Sequence, residues 1–84
     1  DVVVTLDELP LGNFVEVEGP NRVMIEAVAE LLGLNWKNGI ATNYLGLFEI
    51  VKAKRGFLFN DLTFTNFEDI SVTPDDLHVR PADE

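Results

Sequence analysis

The stretch Leu6-Asp7-Glu8-Leu9-Pro10-Leu11-Gly12-Asn13-Phe14-Val15-Glu16-Val17-Glu18 decides how the chain starts to fold. Leu9-Pro10-Leu11-Gly12 supplies turn chemistry between two alternating segments. The segment before it, residues 2–7, alternates Val2, Val4 and Leu6 with Val3, Thr5 and Asp7; the segment after it, 13–18, sets Val15 and Val17 against Glu16 and Glu18. Both are strand patterns, and together they predict a β-hairpin. With the loop at 9–12, Leu6 faces Val15, Val4 faces Val17, Thr5 faces Glu16 and Val3 faces Glu18. One face is then apolar, and the other carries Thr5, Asp7, Glu16 and Glu18. A one-residue slip would mix the two sets, so the pattern itself selects the register.

Beyond the hairpin, Gly19-Pro20 ends the second strand and opens a helix over 20–32, with Pro20 at its first position. Val23, Met24, Ala27, Val28, Leu31 and Leu32 form its apolar stripe, Ile25 lies off that stripe, and Gly33 suits the C-terminal cap. A connection over 34–41 contains Trp36 and the turn signal Asn38-Gly39. Thr42 or Asn43 can cap a second helix over 43–54, with Leu45, Phe48, Val51 and Lys52 on its inner side. Phe57-Leu58-Phe59 and Leu62-Thr63-Phe64 are short, apolar and β-prone. Thr73-Pro74-Asp75-Asp76 resembles a helix start, a single turn at most, and the terminal residues are expected to fray. The order of elements predicts the α+β class.

At 84 residues the chain holds one small domain of marginal stability. The apolar fraction of 46% is too high for a disordered chain, and no apolar run approaches the roughly 20 residues of a membrane span. The absence of cysteine excludes disulfides and thiolate metal sites and fits a reducing, cytoplasmic setting. Fifteen acidic residues against six basic give a net charge of −9. Such a balance opposes nucleic-acid binding, which depends on Lys and Arg at the phosphates, and favours cations. The chain begins with Asp1 and not Met, as expected of a fragment, a processed product or a segment of something longer.

The chemistry-bearing candidates are few. Glu16 and Glu18, two apart on a strand, project from one face about 7 Å from each other. Their mutual repulsion is relieved by a divalent cation, and carboxylate oxygens suit Mg²⁺, Mn²⁺ or Ca²⁺. Asp7 lies on the same face and can add a third oxygen. Against this stands the ordinary solvated face of a sheet, and for Asp7 a bond to the turn backbone. His78, the one histidine, has no neighbour in sequence of the kind general-base catalysis requires. Lys52, Lys54 and Arg55 are basic residues at a helix end, where the helix dipole alone accounts for them. Trp36 and Tyr44 are expected as core or cap residues.

The run from Leu6 to Glu18 resembles the second half of CYTH proteins, in which "LD", a short turn, "LG-x-F" and "E-(V/I/L)-E" follow in order. The similarity continues through Val28-Ala29-Glu30-Leu31-Leu32-Gly33-Leu34, through Thr42-Asn43-Tyr44-Leu45-Gly46-Leu47, which is similar to the family's "SY-x-x-L" helix start, and through Asn60-Asp61-Leu62-Thr63-Phe64. It covers about residues 2–64. The resemblance implies strands of an antiparallel, eight-stranded tunnel in which basic side chains hold a triphosphate and acidic ones hold Mg²⁺ or Mn²⁺. It implies Glu16 and Glu18 as metal carboxylates, with Asp7 assisting from the preceding strand. The whole chain, 1–84, is then the C-terminal portion of a CYTH domain, half of the tunnel with two helices, and 65–84 are a candidate poorly ordered tail.

The family's N-terminal E-x-E-x-K signature and its phosphate-gripping Lys and Arg residues are absent. The implied parent is a metal-dependent triphosphatase acting on inorganic or organic triphosphates, a hydrolase of phosphoanhydrides, and this half alone is expected to be inactive. A class IV adenylyl cyclase fragment and a non-catalytic cation- or partner-binding or oligomerisation module are the alternatives. The expected partners are a triphosphate-containing small molecule and a second copy joined through open strand edges, with neither nucleic acid nor membrane.

Overall fold

The computed structural model describes residues 1–84 and has an α+β fold: a two-stranded antiparallel sheet, two helices and a long C-terminal segment. Strand β1 (Val3–Leu9) pairs with β2 (Gly12–Glu18). The partners are Val3↔Glu18, Val4↔Val17, Thr5↔Glu16, Leu6↔Val15 and Asp7↔Phe14, the register the alternation selects. Pro10 and Leu11 make the turn, and Gly12 leaves it at φ 134°, where a Cβ would be strained. The sheet stops at two strands and does not curve into a barrel. Phe57-Leu58-Phe59 and Leu62-Thr63-Phe64, β-prone by pattern, form no strand.

Helix α1 (Arg22–Leu31) is capped by Asn21, whose side chain accepts from the Met24 N–H at 3.0 Å, rather than opening at Pro20. Its C-terminus closes with Gly33 at φ 77°. The Gly33 N–H donates to the Glu30 carbonyl and the Leu34 N–H to the Ala29 carbonyl, the paired bonds of a Schellman motif. The expected apolar stripe is mostly turned to solvent: Val23 is 77% exposed and Leu31 86%, whereas Ala29 is buried and Ile25 and Val28 are half-buried. The helix meets β2 and the Trp36 turn only along this narrow side, so the wider stripe lacks a surface to cover it.

Helix α2 (Tyr44–Arg55) begins at Asn43, which accepts from the Gly46 N–H at 2.8 Å. Tyr44, Leu47, Phe48 and Val51 form its inner face at helical spacing, with the last three buried; Leu45, expected inside, is exposed. The core gathers here: Leu47, Phe48 and Val51 pack with Leu11 from the hairpin turn and with Phe67 and Leu77 from the C-terminal segment. Phe57 and Phe59 join it, with Phe59 stacked on Phe48 at 6.1 Å and edge-on to Phe67 at 5.3 Å.

The C-terminal residues are anchored rather than loose. Lys54 and Arg55 hold the single turn Asp75–Leu77: Arg55 pairs with Asp76 at 3.0 Å and donates to the Ser71 carbonyl, and Lys54 donates to the Asp75 carbonyl. Asn35 donates its backbone N–H to the Ala82 carbonyl, and Asn38 reaches the Pro81 carbonyl. The radius of gyration is 14.0 Å, against about 12 Å for a compact chain of this length. The molecule measures 40 × 22 × 17 Å along its principal axes, and both edges of the hairpin are unpaired. No helix is long and apolar enough to cross a membrane.

Candidate functional site

The hairpin turns its mixed face, not its apolar face, toward the body of the protein. Asp7, Leu9, Phe14 and Glu16 are half-buried, while Leu6 is 80% exposed and Val4 and Val15 are also exposed. The reason lies at the tip and the second helix. Leu11 enters the core and Phe14 lies against Tyr44, ring centroids 5.2 Å apart, so the face bearing Phe14 must turn inward. Strand pleating then carries Asp7 and Glu16 with it, since Asp7 is directly opposite Phe14 and Glu16 is two residues further along the same face.

Tyr44 completes this group. Its hydroxyl donates to Asp7 Oδ2 at 2.5 Å, across 37 residues of sequence. Burial first, then the hydrogen bond to Asp7 and the nearby negative charge of Asp7 and Glu16, push the Tyr44 pKa above its ordinary value. The phenol hydroxyl donates to Asp7.

Glu16 and Glu18 both line an open cleft of about 740 Å³ between β2, the start of α2 and the C-terminal segment. Phe14, Trp36, Tyr44 and Arg80 are also on its walls, and Asp7 reaches it through Tyr44. Glu18, at the end of β2 opposite Val3, is exposed. Asp7, Glu16 and Glu18 thus share a face of the hairpin, and of the three only Asp7 is hydrogen-bonded to Tyr44. No three acidic or histidine side chains are gathered into a metal-holding group.

The remaining sequence candidates lie elsewhere. His78 is exposed, ends the Asp75–Leu77 turn at φ 57° and is remote in role from the carboxylates. Lys54 and Arg55 are engaged with Asp75, Asp76 and Ser71, and Lys52 with Asn60, so this basic group serves the C-terminal segment. Arg22 pairs with Glu26 and lies over Trp36 at 5.7 Å. Tyr44 is the residue that sequence reasoning missed as part of the site. The only local signal was its place just after a capping Asn43, which marks a helix start and nothing more.

Compared with known proteins, the chain matches no family model, no curated protein and no solved structure.

Proposed function

We propose that this chain is the carboxylate-bearing, C-terminal portion of a CYTH-type enzyme that hydrolyses inorganic or organic triphosphates with Mg²⁺ or Mn²⁺. The observation that carries the reading is the hairpin register, which sets Asp7, Glu16 and Glu18 on one face, with Glu16 and Glu18 opening on the cleft. Glu16 from β2 and Asp7 from β1 would hold the cation; Glu18 shares their face, but the three are not gathered into one group. Held there, Mg²⁺ or Mn²⁺ would neutralise charge on the triphosphate oxygens and orient the phosphate for attack by water. Stabilising the transferring phosphate also needs cationic side chains. The basic residues of α2 are committed to Asn60 and the C-terminal segment, and Arg80 on the cleft wall pairs with Glu84 at 3.9 Å, so further cationic side chains would have to come from outside this chain.

Two further features support the reading. Both hairpin edges are unpaired, and the apolar faces of the hairpin and α1 are uncovered, as strands and helices of a larger tunnel would require. Additional strands, from a complementary half or a second copy, would add at those edges. The chain alone would then bind a cation without releasing phosphate. The second reading, a non-catalytic cation- or partner-binding module, draws on the same carboxylates and on the net charge of −9.

Calorimetric titration of Mn²⁺ and Mg²⁺, with tripolyphosphate present, tests the site on the chain and on its Glu16→Gln/Glu18→Gln variant. Binding that disappears in the variant is the expected result. No binding to the chain, or equal binding to both proteins, rules the metal site out. Phosphate release on adding a complementary basic half separates the enzyme from the binding module.

A further inference from the structure

The cleft beside β2 runs along a strand edge rather than over a sheet face. All seven residues of β2 line it, and none of β1 does. Successive strand residues point to opposite faces, so a cleft that meets every one of them lies along the strand's outer side. That side carries backbone groups without partners. β2 pairs only with β1, and no backbone hydrogen bond reaches Gly12–Glu18 from outside the hairpin. In an antiparallel pair, alternate N–H and C=O groups point away from the partner strand, here toward the cleft. Trp36 and Ile40 from the connection before α2, and Val79 from the C-terminal segment, add apolar walls.

Charge on those walls selects the occupant. Glu16, Glu18 and Arg80 are the charged residues that line the cleft. Arg80 pairs with Glu84 at 3.9 Å, whereas neither glutamate is in an ion pair. A second copy would bring β1 or β2 to the edge, and both carry acidic residues and no basic one. Like charges directly opposite one another destabilise a sheet, and opposite charges stabilise it.

We propose that the outer edge of β2 docks an extended segment of a partner protein as a third strand, with Lys or Arg facing Glu16 and Glu18 and apolar residues facing Val15 and Val17. Main-chain hydrogen bonds to the free edge would supply affinity, and the alternating side chains specificity. This docking goes beyond the metal site and does not depend on it, although both use Glu16.

The test is titration of the full chain, in EDTA and at physiological salt, with a blocked synthetic peptide of about eight residues alternating Lys and Val, a common strand length. Trp36 is the only tryptophan and lies on the cleft, so its fluorescence reports binding. Two control peptides have the same charge: one with the lysines and valines in separate blocks, one N-methylated at alternate backbone positions to remove strand donors. The expected result is binding of the alternating peptide, weaker binding of both controls, and a loss of roughly two- to thirtyfold in the Glu16→Gln/Glu18→Gln variant. Amide hydrogen exchange should slow at alternate positions of β2 and stay unchanged along the outer side of β1.

Equal binding of all three peptides shows attraction of any polycation to an acidic protein and overturns the proposal. So does absence of binding, unchanged affinity in the variant, or protection that appears on β1 instead. Protection of β2 in the parent without peptide, rising with protein concentration, identifies a second copy as the occupant and overturns it as well.

Discussion

The hairpin and the α2 half of the molecule each carry an apolar face and put it to opposite use. In α2 and the segment after it, apolar residues converge: Leu47, Phe48, Val51, Phe67 and Leu77 close on Leu11, and Phe57 and Phe59 seal the side. In the hairpin, the apolar face of Val4, Leu6 and Val15 is open, and the inward face is the one with carboxylates. Burial stabilises in proportion to area removed from water, so stability belongs to the α2 end. The hairpin contributes its turn residue to the core and its acids to the cleft. Core and candidate chemistry meet where Leu11, Phe14 and Tyr44 join the hairpin to α2.

The largest effect should come from Phe48→Ala, which removes a fully buried ring that touches Phe59 and Phe67. A loss of about 3–5 kcal/mol is expected in urea unfolding, enough to unfold much of a small domain. A loss under about 1 kcal/mol would mean that the core does not lie where the comparison puts it.

Acid should weaken the same end next. The Thr73 backbone N–H holds the Asp76 carboxyl below the usual carboxylate value, with help from the Thr73 hydroxyl, Arg55 and Lys54, against the opposing effect of burial. A depressed pKa in the folded state stabilises above the unfolded value of about 4. That contribution is lost as pH falls through the lower folded value. In thermal melts across pH, Asp76→Asn should be less stable than the parent at neutral pH, and the gap should close on acidification. A gap that persists unchanged in acid would detach the C-terminal turn from this account.

The smallest effect is expected from Leu6→Ser on the open face, within about 0.5 kcal/mol. Here a large loss would be the informative surprise. It would show that the face is covered in solution, and dependence of the melt on protein concentration would identify a second copy as the cover.

The hairpin was legible in sequence because its determinants are local: Pro10 and Gly12 place the turn, and alternation on both sides leaves one register. The start of α2 and the stop of α1 were nearly as clear, through Asn43 and Gly33. What an element faces was harder to read. Val23 and Leu31 have the spacing of a buried stripe, but the spacing cannot say whether anything is there to bury it. Phe57-Leu58-Phe59 does alternate, with the two rings inward and Leu58 95% exposed, yet a strand also needs a neighbour and none is present. The metal candidates Glu16, Glu18 and Asp7 followed from strand pairing, whereas Tyr44 depended on a tertiary contact that no local pattern encodes.

The open hairpin also bears on how copies of the molecule tolerate one another. Two free strand edges beside exposed Val4, Leu6 and Val15 make a surface suited to edge-to-edge stacking. What opposes it is like charge: each copy carries −9, and Glu8, Glu16 and Glu18 stand among the apolar residues of the strands. Colloidal stability is thus electrostatic rather than steric. Salt that screens the repulsion, or a pH near the isoelectric point of about 4.3, would allow the edges to meet.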